Sequence, residues 1–148
     1  MTAEFSEMGI RFAYPETWEV SGDKDPELPR SVSVHSPEGA FWSVSEDRRE
    51  PAVMAAEVLE TMRAEYEEFE AEPIERIVEG RALIGYEIHF CCLDLLISAH
   101  ILAAEGGGTS QVLLYQAESR DFDQLRAVFD AISLSFLRGR YGDVDWES

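Results

Sequence analysis

Between Arg81 and Glu118 the chain runs through two long apolar stretches, ALIGYEIHFCC and LLISAHILAA, followed by GGGT and QVLLYQAE. Tyr86, Ile88, Phe90 and Cys92 alternate with Gly85, Glu87, His89 and Cys91, the period of two by which a strand sends successive side chains to opposite faces. This predicts the antiparallel middle of a sheet, with strands over 81–92, 95–104 and 111–118. The reversals fall at Leu93-Asp94-Leu95-Leu96 and at Gly106-Gly107-Gly108, where glycine accepts positive φ. A reversal centred between Asp94 and Leu95 sets His89 opposite His100 and Cys91 opposite Ser98. The Cβ atoms of the two histidines would then lie about 4.5–5.5 Å apart.

The rest of the pattern fills in around this centre. GIRFAY (9–14) reads as a strand with Ile10, Phe12 and Tyr14 on one face, ended by Pro15. The following Tyr-Pro-Glu-Thr-Trp turn returns Trp18 and Val20 to the body, Trp18 as a core plug. SGDKDPELPR (21–30) reads as a surface loop. SVSVHS and AFWSVSED form a hairpin about Pro37-Glu38-Gly39, with apolar residues on both faces, so that the sheet is expected to be covered at least in part on both sides. Pro51 to Phe69 predicts a helix: Ala55, Val58, Leu59, Met62, Tyr66 and Phe69 share one arc, while Glu57, Glu60, Glu67 and Glu68 line the other side with Arg63. IERIVEG then reads as a strand turning at Gly80. SRDFDQLRAVFDAISLSFL predicts a closing helix from Asp121 to Leu137, capped by Asp121 with Gln124 in the reciprocal position, and with Phe122, Leu125, Phe129, Ile132 and Phe136 in one stripe. Residues 1–138 make one domain, and residues 139–148 a polar tail.

Composition narrows the functional classes. The chain has 148 residues, 45% of them hydrophobic, and a formal charge of -18. That charge repels nucleic-acid backbones and anionic membranes, and it suits a basic protein partner as well as simple solubility. The N-terminus has neither the basic start nor the apolar core of a signal peptide, and the expected location is the cytoplasm. Cys91 and Cys92, adjacent in a strand, point to opposite faces and do not form a normal bridge with each other. A monomer or weak dimer is expected.

The order of elements carries a resemblance. A first strand, a Tyr-Pro-x-x-Trp turn, a hairpin with Ser-Pro-x-Gly, an acidic helix, long antiparallel strands and a closing helix DFDQLRAVFDAISLSFL resemble the PsbP-like and Mog-type family, with its Ran-binding and DcrB-like members, over about residues 5 to 138. The resemblance implies an α+β fold, an antiparallel sheet flanked by helices in an α/β/α sandwich. It also implies binding and assembly roles, among them Ran binding, a photosystem subunit, a periplasmic lipoprotein and chaperones of type VI secretion effectors. It supplies no catalytic residue and no cofactor.

No phosphate loop, dinucleotide fingerprint, nucleophile elbow or paired-cysteine metal spacing occurs in the chain. The first expectation is therefore a non-enzymatic protein-binding or adaptor domain, acting through its sheet edge, a groove beside the sheet, or the acidic residues Glu57, Glu60, Glu67 and Glu68. A chaperone or immunity-like partner of a secreted effector is an alternative drawn from the family. A metal-binding protein or enzyme using His89, Cys91 and His100 is another, since imidazole and thiolate are good zinc and copper ligands. Against the last, cross-strand histidines more often tile a half-covered face.

Overall fold

The computed structural model describes residues 1–22, 29–106 and 108–139. Two strands, β1 (Thr2–Glu7) and β2 (Ile10–Pro15), pair with each other as a separate hairpin. The main sheet contains β3 (Glu19–Gly22), β4 (Arg30–His35), β5 (Phe41–Asp47), β6 (Glu67–Val78), β7 (Arg81–Cys92), β8 (Leu95–Gly106) and β9 (Thr109–Glu118). Its order is β3-β4-β5-β9-β8-β7-β6, antiparallel throughout. Between β5 and β6 the chain forms helix α1 (Pro51–Glu65), and after β9 it closes with α2 (Ser119–Leu137). The expected α+β architecture is the one observed, an antiparallel sheet of seven strands with two helices.

The sheet divides the core in two. Ile88, Phe90, Ala99, Ile101, Ala103 and Val112 meet Met54, Ala55, Leu59 and Met62 of α1. On the opposite face Trp42, Val44, Leu102, Leu113 and Tyr115 meet Phe122, Phe129, Ile132 and Phe136 of α2 together with Phe5, Ile10 and Phe12 of the β1–β2 hairpin. Serines let this second layer approach closely. Ala13 donates its backbone N–H to Ser135 Oγ at 2.8 Å, and Trp42 Nε1–H donates to Ser133 Oγ at 2.8 Å. Trp18 is buried against Phe129, as the turn pattern predicts, but Val20 is 37% exposed rather than packed on the body. A carboxylate, Glu46, is also buried. Arg30 Nε at 2.9 Å, Thr109 Oγ1 at 3.0 Å and Gln111 Nε2 at 2.8 Å donate to it, which supplies the partners that a buried charge needs.

Several element boundaries differ from the sequence reading. The first strand TAEFSE was not anticipated, because Phe5 is its one buried residue and the strand exists only through pairing with β2. Residues 19–22, expected to be turn and loop, form the edge strand β3. The larger correction is α1, which ends at Glu65, not Phe69. Tyr66 is extended, with φ -114 and ψ 149, and 67–78 form the edge strand β6. Glu65, Glu67 and Glu68 would crowd the negative end of a longer helix, whereas β6 pairs with β7 along most of its length. A bulge between Glu67 and Glu70, with Glu68 at φ 51, still delivers Tyr66 and Phe69 to Phe90, their rings 4.2 and 6.0 Å from it. α2 starts two residues earlier than expected, at Ser119, with Glu118 at the cap position making no side-chain cap bond. Asp121 therefore lies in the first turn, and the predicted capping box with Gln124 is not the one present. The expected polar tail lies outside the described residues except for Gly139, as does most of the 21–30 loop.

Candidate functional site

The end of the sheet where β7 turns into β8 gathers most of the residues singled out in the sequence. Its reversal is centred between Leu93 and Asp94, one residue earlier than expected, and Cys92 pairs with Leu95. Moving a turn centre by one residue shifts the cross-strand pairing by two. His89 therefore lies opposite Ser98, His100 opposite Glu87, and Cys91 opposite Leu96. The predicted facing of His89 with His100 and of Cys91 with Ser98 is not observed. Because the shift is two residues, His89, Cys91 and His100 do share one face of the sheet.

Each of these three side chains is engaged separately. His89 Nδ1 lies 2.9 Å from Ser98 Oγ and its Nε2 3.4 Å from Glu87 Oε1. Ser98 Oγ in turn lies 2.8 Å from Ser119 Oγ at the start of α2. Cys91 donates its thiol to Glu68 Oε2 at 3.1 Å, and this bond, with partial desolvation, pushes the thiol pKa up. A thiol held protonated is a poor metal ligand and a poor nucleophile. Among the described residues no group of three or more His, Cys, Asp or Glu is placed to hold a metal ion.

His100 is 3% exposed, with its ring 5.0 Å from Phe122 and 5.3 Å from Tyr115. Arg76 Nη2 at 3.4 Å and Tyr115 Oη at 3.2 Å both approach its Nδ1. A guanidinium only donates, so Nδ1 accepts and the ring proton sits on Nε2. Burial, then the positive charges of Arg76 and Arg126, lower the pKa from 6.5 to about 4, against an opposing pull from Glu87. In the unfolded chain the same group titrates at its ordinary value. Between those two values the unfolded state binds the extra proton, so this residue contributes stability above pH 6.5 that is lost as pH falls towards 4. Wild type should lose about 2 kcal/mol more than His100→Gln between about pH 7 and pH 5, read from urea unfolding at each pH. Parallel stability profiles for the two proteins would show that His100 is charged in the fold.

The tip itself is apolar and uncovered. Leu93 is 91% exposed, Leu95 47% and Leu96 64%. Leu93 has φ 51 and Asp94 φ 67, the left-handed pair of a two-residue hairpin turn. The corresponding turns Met8-Gly9 and Glu79-Gly80 place glycine second, but Leu93-Asp94 has none. A bulky residue in the left-handed region is uncommon and costs on the order of 1 kcal/mol or more. Carboxylates surround the tip: Glu67, Glu68 and Asp94 all act on Cys91. Thus Glu67 and Glu68 stand beside the hairpin, brought there by the bulge of β6, while Glu57 and Glu60 lie on α1, where Glu57 pairs with Arg49 and Glu60 with Arg63 at 3.6 Å. The four glutamates are not one helix face. The sequence signal for the tip was LDLL, a turn made of apolar residues where polar ones are usual.

No protein-family model matches the chain, and no curated protein matches it at a significant level. Solved structures do. PsbP of the cyanobacterium Synechocystis sp. PCC 6803 (CyanoP) is 15% identical and aligns over 90% of each chain with a TM-score of 0.61. The fold is PsbP-like. A Pseudomonas aeruginosa protein of unknown function, PA94, is 11% identical over 90% of this chain and 94% of its own, with a TM-score of 0.53. At such identities the likeness to the PsbP-like fold extends to architecture and not to function. Among the described residues no helix is long and apolar enough to cross a membrane.

Proposed function

We propose that this PsbP-like chain is a non-enzymatic protein-binding domain that docks through the β7–β8 hairpin, with Leu93, Leu95 and Leu96 entering an apolar pocket of a partner and Glu67, Glu68 and Asp94 meeting basic residues at its rim. The observation that carries the reading is the exposure of three neighbouring leucines, Leu93 in a turn held in left-handed backbone and Leu95 and Leu96 at the start of β8. Bare leucines and a strained turn are both costly in a free domain, and such costs concentrate where a partner recovers them. The two edge strands among the described residues fit a partner less well: β3 is four residues long, and β6 carries Pro73, a bulge and several glutamates, features that block strand addition. Glu57 and Glu60 on α1 add to the attraction of a basic partner at longer range.

The test compares wild type with the Leu93→Ser, Leu95→Ser, Leu96→Ser triple variant as bait in cells of the source organism. A protein captured at low salt by wild type, weakened at moderate salt and lost with the triple variant is the expected result, since surface attraction is screened over about 8–10 Å under those conditions. Equal capture by both baits would overturn the docking role of the hairpin. Leu93→Asn provides an independent check. It should raise the stability of the free domain by roughly 0.5–1 kcal/mol, because asparagine tolerates the left-handed region, while weakening capture. A lower thermal midpoint would mean that Leu93 is supported by packing within the domain.

A further inference from the structure

On the α1 face of the sheet, away from the hairpin tip, a trough runs along the flank of α1. It consists of a hollow of about 550 Å³ bordered by Ala82, Ile84, Ala103 and Glu105 and a second of about 380 Å³ bordered by Ala55, Pro73, Ile84 and Tyr86. Ile84 lines both and is 38% exposed. Ile77, paired with Ala82 and so on the same face, stands 72% exposed at the margin. From Pro73 to Val78 the strand beside the trough spans roughly 17 Å, the length of about five extended residues.

The charges at the trough are uneven. Glu75 pairs with Ile84 in the register and shares its face, Glu105 closes one end, and Glu79 lies at the turn beside it, held by Arg138 at 2.9 Å. Arg81 stands at that end as well, beside the Arg138–Glu79 pair. The apolar side chains of Ala82, Ile84 and Ala103 therefore lie between borders that carry Glu75, Glu79 and Glu105, on a chain whose formal charge is -18. An acidic peptide would be repelled by Glu75 and Glu105, and a wholly polar one would leave Ile84 and Ile77 in water.

From this complementarity we infer that the trough is a second docking site, distinct from the hairpin, for a short apolar segment of a partner protein flanked by lysine or arginine. The apolar residues lie over Ala82, Ile84 and Ala103, and the flanking cations meet Glu75 and Glu105. This separates two contacts that a binding domain of this size can make with one partner or with two.

The probe is the synthetic peptide KLVLVK, titrated into the full chain and followed by amide chemical shifts. The expected shifts cluster at residues 73–86 and 103–105, with residues 93–96 unmoved. The charge-reversed peptide ELVLVE should bind at least tenfold more weakly, as should KLVLVK to the Glu75→Lys, Glu105→Lys variant, whose substitutions lie on exposed side chains. Ile84→Ser should weaken KLVLVK by a similar factor; if that variant fails to fold, the charge-reversal pair decides alone. No shifts at millimolar peptide, shifts centred on the leucine tip, or equal binding of the two peptides would each overturn the inference. The leucine triple variant should bind KLVLVK as wild type does, so that failure of the trough and failure of the hairpin are read separately.

Discussion

Gly85→Ala is expected to destabilise the domain by at least about 3 kcal/mol, a large share of the roughly 5–15 kcal/mol by which a domain is ordinarily stable. The reason is a close approach of two backbones. Gly85 lies in the middle of β7, paired with Ile74 of β6 and Leu102 of β8. A Cβ at this position would fall 1.7 Å from the Ile101 carbonyl oxygen, 2.6 Å from its carbon and 3.0 Å from Leu102 Cα. These are backbone atoms, which have no rotamer by which to give way. To admit one methyl group, β7 and β8 would have to part or bend where the two core layers meet, at the cost of ladder hydrogen bonds and of contacts at Leu83, Ile101 and Leu102. The same hairpin presents the leucine tip, so the variant should also lose partner capture. Urea unfolding of the purified variant is the measurement. A loss below about 1 kcal/mol would mean that the strands separate easily at this point and that the close approach is not needed.

Gly85 also shows where sequence reasoning reached and where it stopped. An isolated glycine inside an alternating strand signals a bulge or a close backbone approach, but which of the two depends on the neighbouring strand. The period-two pattern of 81–118 and the 3.6-residue stripe through Phe122, Phe129, Ile132 and Phe136 were legible because the sheet and α2 each bury a regular face. The end of α1 was not. Tyr66 and Phe69 continue the helical stripe, yet they reach Phe90 equally well from an extended chain with a bulge, and pairing with β7 decides between the two. The turn at LDLL was ambiguous for a related reason. With no Asn-Gly or Asp-Gly to fix it, centres one residue apart fit the same pattern, and the structure adopts the one that puts Leu93 in the left-handed region. The face of His89, Cys91 and His100 survived that error because a two-residue shift in register leaves alternation intact. The trough beside Ile84 had no signal along the chain. It arises from where α1 lies across β7 and β8, which is a long-range outcome.

Phe129→Ala should cost about 3–5 kcal/mol, the range for emptying a fully buried aromatic site. Phe129 is 0% exposed and joins three parts of the chain. Its ring lies 4.9 Å from Tyr115 of β9, 5.7 Å from Phe122 about two turns earlier on α2, and 6.1 Å from Trp18 of the turn before β3. Alanine removes the transfer free energy of the ring, and it leaves a void that these rigid neighbours cannot close, because Tyr115 is held by its sheet position and by its contact with His100. The void also separates local from shared packing. Trp18→Ala alone should be costly as well, but in the double variant the two losses should sum to less than their separate values by on the order of 1 kcal/mol, since both empty the same space. Strict additivity would mean that Trp18 is supported elsewhere. A loss below about 1 kcal/mol for Phe129→Ala itself would mean that α2 does not press this stripe into the sheet, and the two-layered core would have to be redrawn.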